Sequence, residues 1–417
     1  MNIKRILARE VYNSRGWPTV ACEIELEDGH RVSASVPTGL SRGSYEAKTM
    51  HDGGARLWGR GVRNAVELIE KQIAPLLVGK PPHAITMDLQ LIELDGTTDK
   101  SNIGANTMIA VSEALYRAHA YVEKVELFEF IGHVCGSESV ALPFPLFNMV
   151  NGGMHAHNNL TIQEFLVIPA ETPDFQTSME VGVVIFQEIG SALKQKNKTL
   201  FLGDEGGYAP SFDDDEEVLE LISEVLIRVY AHYGFKALCA LDVAASRLYD
   251  PLQQTYTFTK NVFSSAQLVD YYESLITKYP ICSIEDGFAE DDWDGWKLFT
   301  ARLGDRVQIV GDDLFTTRLE RIEQGVSEKA ANAVLIKPDQ IGTVTETLQA
   351  IQYARERGFA TVVSHRSGET EDSFIADLAV GSNAGQIKTG GLNRSERLSK
   401  YNRLLTIEDY LKRGILA

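Results

Sequence analysis

Five short apolar runs in the second half of the chain each end in a residue able to do chemistry. Residues 331–336 run into Lys337, Ala237–Leu241 into Asp242, Ile281–Ile284 into Glu285, Val307–Gly311 into Asp312, and Ala360–Ser364 into His365. Helical patterns separate them, near 264–278, 290–303, 317–327 and 343–357, with others near 175–196, 214–232 and 394–413. A last short run, Gly385–Lys388, follows the same form. Nearly continuous apolar runs spaced by helices describe parallel strands covered on both faces. If such strands close into a barrel, the residues at their carboxyl ends share one rim.

The first third reads differently. Val20, Cys22, Ile24 and Leu26 alternate with Ala21, Glu23, Glu25 and Glu27, the period of a half-buried strand. Asp28-Gly29 is a hairpin signal, and Val32, Ala34 and Val36 alternate on the return. Val62, Ala65, Val66, Ile69 and Ile73 make one helical face. Residues 84–94 and 105–120 read as further helices. Residues 1–132 are therefore expected to form an α+β domain, a three-stranded sheet backed by helices, with a glycine-rich mobile loop at 37–48. The pattern weakens over Gly132–Ser139, and residues 140–417 form the expected α/β barrel, entered through strands at Leu142–Val150 and Thr161–Pro169.

A length of 417 residues suits a barrel with a smaller domain. Hydrophobic content of 44% and charged content of 24% are those of a globular protein. A net charge of −18 argues against nucleic acid or an anionic membrane as partner. It leaves room for a phosphorylated substrate in a local cationic pocket. The four cysteines have no CxxC spacing; Cys22, Cys239 and Cys282 fall in expected strands, so a disulfide framework or zinc site is not expected. The start of the chain lacks a signal-peptide core, and no apolar run reaches membrane-spanning length, so a cytoplasmic protein is expected.

Asp242, Glu285 and Asp312 stand in consecutive βα units. One acidic residue after a strand is ordinarily a helix cap, but three in this arrangement make an all-oxygen site with room for water and substrate, suited to magnesium. Lys337 on the next strand is a candidate base if neighbouring cations, bound magnesium and Lys388 among them, depress its pKa. Glu205 lies in a Gly-Asp-Glu-Gly-Gly turn, Glu164 follows Gln163 on a strand, and His155 follows Asn151-Gly-Gly. Arg366-Ser367-Gly368 after a strand is a candidate phosphate clamp. Each of these alone is weaker than the carboxylate series.

Together the segments are more specific. Ser14-Arg-Gly, Asn151-Gly-Gly, Gln163-Glu-Phe, Gly203-Asp-Glu-Gly-Gly-Tyr-Ala-Pro, Ser283-Ile-Glu-Asp-Gly, Gly311-Asp-Asp-Leu, Ser364-His-Arg-Ser-Gly-Glu-Thr-Glu-Asp and Gln386-Ile-Lys-Thr-Gly occur in this order. The whole chain thereby resembles the enolase family, the phosphopyruvate hydratases. Sites of the enolase superfamily are an established example of a Lys or His base working with magnesium that stabilises an ene-diolate. The resemblance implies a smaller α+β domain, an enolase-type α/β barrel whose first strands break strict alternation, and dehydration of 2-phosphoglycerate to phosphoenolpyruvate. It implies two magnesium ions per site, the first on Asp242, Glu285 and Asp312, the second reached by Ser41 when the loop closes. Lys337 would take the C2 proton and Glu205 protonate the departing C3 hydroxyl. Glu164, Gln163 and His155 would orient that end, Arg366 and Ser367 bind phosphate, Lys388 bind the carboxylate, and His365 also bind substrate. At least a homodimer is implied.

The chain also departs from that pattern. The loop reads Pro37-Thr-Gly-Leu-Ser-Arg-Gly43 where the family usually has Pro-Ser-Gly-Ala-Ser-Thr-Gly, and Pro338-Asp339 stands where Val or Phe, then Asn, is common. Trp17 replaces a usual Asn. A paralogue acting on a modified phospho-acid, or a non-catalytic scaffold, are the alternative readings.

Overall fold

Ile3–Tyr12 (β1), Pro18–Leu26 (β2) and Arg31–Ser35 (β3) pair antiparallel in that order. The computed structural model describes residues 1–137 and 139–414. Glu138, within the expected boundary, and residues 415–417 of the expected barrel lie outside the described residues. β2 is central, and its Val20, Cys22, Ile24 and Leu26 are buried, as the alternation predicts. Val62, Ala65, Ile69 and Ile73 are buried along one helical face, which widens to a π turn at Ile69–Ile73. Helices Ala84–Asp95 and Ala105–Glu123 complete the layer behind the sheet.

Eight strands close the barrel in chain order: Phe144–Asn151 (β4), Glu164–Ala170 (β5), Lys236–Asp242 (β6), Ile281–Glu285 (β7), Gln308–Gly311 (β8), Ala333–Ile336 (β9), Ala360–Ser364 (β10) and Gly385–Lys388 (β11). Neighbours are parallel except β5, which is antiparallel to both β4 and β6. The connection from β4 to β5 contains only a loop and one short turn, and a parallel partner needs a longer crossover. Two helices, Phe175–Gln195 and Asp215–Tyr233, then lead to β6, and single main helices or helical turns follow the later strands.

Strand alternation divides the apolar residues into two sets. Leu146, Leu166, Ile168, Ala240, Val310, Ala333, Leu335 and Val362 pack together as a plug inside the barrel. Phe147, Phe165, Leu241, Ile284, Ile309, Val334, Ile336 and Val363 join the larger core beneath the helices. Truncating one plug leucine to alanine costs about 2–5 kcal/mol, because the surrounding strands cannot collapse into the gap. The plug gives the polar residues above it a fixed floor.

Some elements were not legible from periodicity. Phe374–Gly381 is a helix with every residue buried, so it has no polar face to set a 3.6-residue rhythm. Leu127–Val134 is helical and runs into the start of the weak-pattern region, held at its own start by Glu126 and Glu129 capping each other's backbone. The helix expected from 290 begins at Trp293, because Asp292 caps it by accepting from Gly295 N. Among the described residues no helix is long and apolar enough to cross a membrane.

The smaller sheet and helices are bound to the barrel by buried polar contacts. Arg117 reaches Asp372, Ser35 N donates to the same carboxylate at 3.0 Å, and Asp88 accepts from Thr345 N at 3.0 Å. The loop after β3 lies across the loop after β10, where Thr38 and Gly368 exchange backbone hydrogen bonds of 2.8 and 2.9 Å.

Candidate active site

The strand register puts Glu164, Asp242 and Glu285 side by side on β5, β6 and β7. Asp312 directly follows β8, and Lys337 directly follows β9. All five are buried. Charge this far from water must be paired. Lys388 Nζ lies 3.0 Å from Asp242 Oδ2, 2.8 Å from both Glu285 oxygens and 3.1 Å from Glu164 Oε1. Lys337 Nζ is bonded to Asp312 Oδ2. Gln163 Nε2 donates to Asp242 at 3.2 Å, and its Oε1 is buried without a partner among the described residues.

The carboxylates outnumber the cations, and the pKa directions follow. Burial and then the Asp242 charge push Glu285 up to about 8. For Asp242 burial works upward, but Lys388 outweighs it and the carboxyl lies below its ordinary value. Lys337 differs from expectation. Burial, Arg366 and Lys388 pull its pKa down, but the surrounding carboxylates, Asp312 foremost and Glu285 with it, together hold the amine above its ordinary value. The expected depression by neighbouring cations is thus present and overcome by the acids around the amine.

Across the rim stands a second group. Ligand-type atoms of His155, Glu164 and Glu205 gather within 4.8 Å, as do those of Asp286, Asp312 and Asp313. Asp242 and Glu285 belong to neither gathering, since Lys388 is bonded to both of them. Asn148 donates to Glu164 at 3.0 Å and to Glu205 at 3.1 Å, bridging the two acids. Their protonation diverges. Burial and the Glu205 charge push Glu164 well up, so it keeps a proton. Burial also works upward on Glu205, but His155 and His365 together hold it well below its ordinary value. His155 Nδ1 lies 3.2 Å from Glu205 Oε2 and His365 Nε2 lies 3.6 Å from Oε1.

Burial keeps His365 neutral, and Arg397 adds to it by donating to Nδ1 at 2.6 Å. The hydrogen of that ring therefore sits on Nε2, facing Glu205. Arg397, wholly buried, also binds the carbonyls of Arg366, Ser367 and Asp204 at 2.7, 2.8 and 3.1 Å. Arg366 is likewise buried and binds Asp339 at 2.7 Å, Glu46 at 3.0 Å and the Ser41 carbonyl at 3.2 Å. Ser367 Oγ accepts from Leu40 N at 2.8 Å. The loop carrying Ser41 therefore rests on the Arg366-Ser367 segment.

All thirteen residues named from sequence line one rim or the loop that covers it. Several partners escaped that reading. Asn148 is a polar residue inside the apolar run of β4, and Arg397 occupies a buried helical face with Tyr401 and Leu404, so both carried a signal. Glu46 carried none, since it is 320 residues from the Arg366 it holds. Asp286, at φ +43, accepts from Asp312 N at 2.8 Å and Asp313 N at 2.9 Å and so ties the ends of β7 and β8. Arg42, where the family loop usually has Thr, here binds Glu46 at 3.1 Å and the Ala47 carbonyl and Thr49 at 2.8 Å.

Residues 3–131 match the family model "Enolase, N-terminal domain", and residues 139–415 match "Enolase, C-terminal TIM barrel domain". The chain belongs to the enolase family. It is 45% identical over 415 residues to a protein named enolase from Sulfurimonas denitrificans, covering 99% of this chain and 98% of that relative. Enolases are metal-dependent lyases acting on a small phosphorylated molecule. The buried, oxygen-only donor set, with Glu285 pushed up by burial and then by the Asp242 charge, fits a hard cation.

Proposed function

We propose that this protein is a cytoplasmic, magnesium-dependent enolase that dehydrates 2-phosphoglycerate to phosphoenolpyruvate reversibly, organised as domains 1–132 and 140–417 and assembled at least as a homodimer. The observation that carries the reading is the division of one rim into a carboxylate–lysine half and a Glu–His half, with a phosphate clamp beside them. Asp242, Glu285 and Asp312 would hold one magnesium ion, and Ser41 would help hold a second. Bound there, the ions supply electrostatic stabilisation to the doubly charged carboxylate that forms when the C2 proton leaves.

The protein's own groups divide the remaining work. Lys337, from the end of β9, takes the C2 proton; the acids around it keep its amine protonated here, so it must first lose a proton, which a cation that claims Asp312 would favour. Glu205, ionised at rest, delivers to the departing C3 hydroxyl a proton that it must first receive from Glu164, which keeps one and is bridged to it through Asn148. His155 and Gln163 orient that end of the substrate. Lys388 binds the substrate carboxylate, and His365, Arg366 and Ser367 bind at the phosphate side. The Arg397 bond makes His365 a neutral donor, suited to an anionic partner.

Purified protein should convert 2-phosphoglycerate to phosphoenolpyruvate with magnesium and stop in EDTA. Full activity in EDTA would sink the metal assignment. Turnover of a modified phospho-acid, such as a carboxyphosphono analogue, in place of 2-phosphoglycerate would replace the substrate assignment.

A further inference from the structure

Arg42, Glu46, Arg366 and Asp339 form a row of alternating charge at the phosphate side. Arg42 Nε lies 3.1 Å from Glu46 Oε2, Glu46 Oε1 lies 3.0 Å from Arg366, and Arg366 lies 2.7 Å from Asp339 Oδ2. The inner three are buried, while the Arg42 side chain keeps 33% of its exposure. Glu46 also accepts from Gly43 N at 3.2 Å and Gln340 Nε2 at 3.3 Å, so it is fixed on both sides. Asp339 Oδ1 is buried with no partner among the described residues, so Arg366 is the only charged group bonded to that carboxylate. The ends of the row, Arg42 and Asp339, are two of the positions at which the chain departs from its family's pattern.

The charges of the row sum to zero, and so do those of its middle pair alone. Removing Arg42 by itself leaves two carboxylates on one guanidinium, a net negative clamp facing a substrate phosphate. Removing the Asp339 charge by itself leaves a net positive clamp. At short range in a water-poor site such an imbalance is felt strongly. We propose that Arg42 and Asp339 are a charge-compensating pair of positioning residues that sets the affinity of Arg366 for the phosphate of the substrate, and that Arg42 does so from the loop. This rests on the enolase reading only in taking the ligand of Arg366 to be a phosphate.

The test is a double-mutant cycle with Arg42→Thr, Asp339→Asn and the double variant. Arg42→Thr should raise KM for 2-phosphoglycerate about tenfold with kcat changed less than about twofold, a loss of uniform binding. Asp339→Asn should lower KM a few-fold, roughly three to five. The double variant should return to within about threefold of the parent, because the two changes cancel. A double variant as impaired as Arg42→Thr alone, or KM unchanged in both single variants, overturns the pairing. An equal fall in kcat and kcat/KM would assign the residues to the chemical step and overturn it too. Calorimetry with inorganic phosphate on the same four proteins separates the two readings. Coupled phosphate affinities without 2-phosphoglycerate turnover would reject the enolase substrate but keep the pair. Absence of phosphate binding to the parent protein would reject the pair.

Discussion

On one half of the barrel rim Asp242, Glu285 and Asp312 face Lys337 and Lys388; on the other, Glu164 and Glu205 face His155 and His365. Both halves are buried and rich in carboxylates, yet they balance charge by different means. The first uses fixed ammonium groups, and each lysine is held above its ordinary pKa by the acids around it. The second relies on rings and a proton: Glu164 keeps one, and burial, with Arg397 beside the ring, holds His365 neutral. Lys388 touches both halves through Glu164 and Asp242. On the proposed roles, removing and delivering a proton would be prepared separately. The proposed base is held by carboxylates that a cation could claim, and the proposed acid has a neighbour that stores a proton.

The largest effects should come from cutting one half at a time. Lys337→Ala should lower turnover about 10⁴-fold and abolish exchange of the C2 hydrogen of 2-phosphoglycerate in D2O. Glu205→Gln should block dehydration to a similar extent but continue that exchange. NMR of substrate with each variant and magnesium decides it. Exchange that survives in Lys337→Ala but not in Glu205→Gln would reverse the two roles.

Next in size is the metal half alone. Asp312→Ala removes a proposed ligand and the partner of Lys337 together. Turnover at saturating substrate should fall about 10³-fold, the equivalent of several kcal/mol of lost stabilisation. Circular dichroism should stay unchanged, because the strand beneath is held by the plug. Retention of magnesium-dependent activity would remove Asp312 from the site.

The acid half should depend on a structural cation instead. Arg397→Met leaves the Arg366 carbonyl and His365 Nδ1 without this donor, and takes one donor each from the Ser367 and Asp204 carbonyls, which keep Ser14 Oγ and Arg394 Nη1. A loss of about 3 kcal/mol in urea unfolding is expected, together with weaker turnover. A variant as stable and active as the parent would show that water replaces the guanidinium without cost.

A smaller and pH-dependent effect is expected away from both halves. Burial pushes Asp88 up to about 6, against three hydrogen bonds from Thr345 and Ser112. An unfolded aspartate titrates near about 3.9. Above pH 6 the folded protein bears the cost of a buried charge; as pH falls from 6 toward 4 the folded form binds the proton first. Stability of the parent relative to Asp88→Asn should therefore rise by about 2 kcal/mol between pH 7 and 4. A pH-independent difference would mean that the hydrogen bonds fully offset burial.

The barrel strands were legible because each is a short apolar run, and a strand buried on both faces has few other sequences open to it. The chemistry at their ends was legible for a related reason: a charged residue that stops such a run must lie on the rim. The family resemblance then attached roles to Ser41, His155 and Gln163, which periodicity alone left as loop and strand residues. Helices without a polar face, such as Phe374–Gly381, left no rhythm to read.

Sequence alone thus determined which residues reach the rim and which elements carry them, since both follow from local periodicity and the end of an apolar run. Tertiary structure decided what those residues are next to. That the acids around Lys337 outweigh burial and two cations, that Asn148 joins two acids, and that Glu46 holds Arg366 from 320 residues away depend on distances across the barrel. The physical reason is that Coulomb and hydrogen-bond energies in a buried site are set by separations of a few ångströms, and neighbours in space leave no mark on the order of residues along the chain.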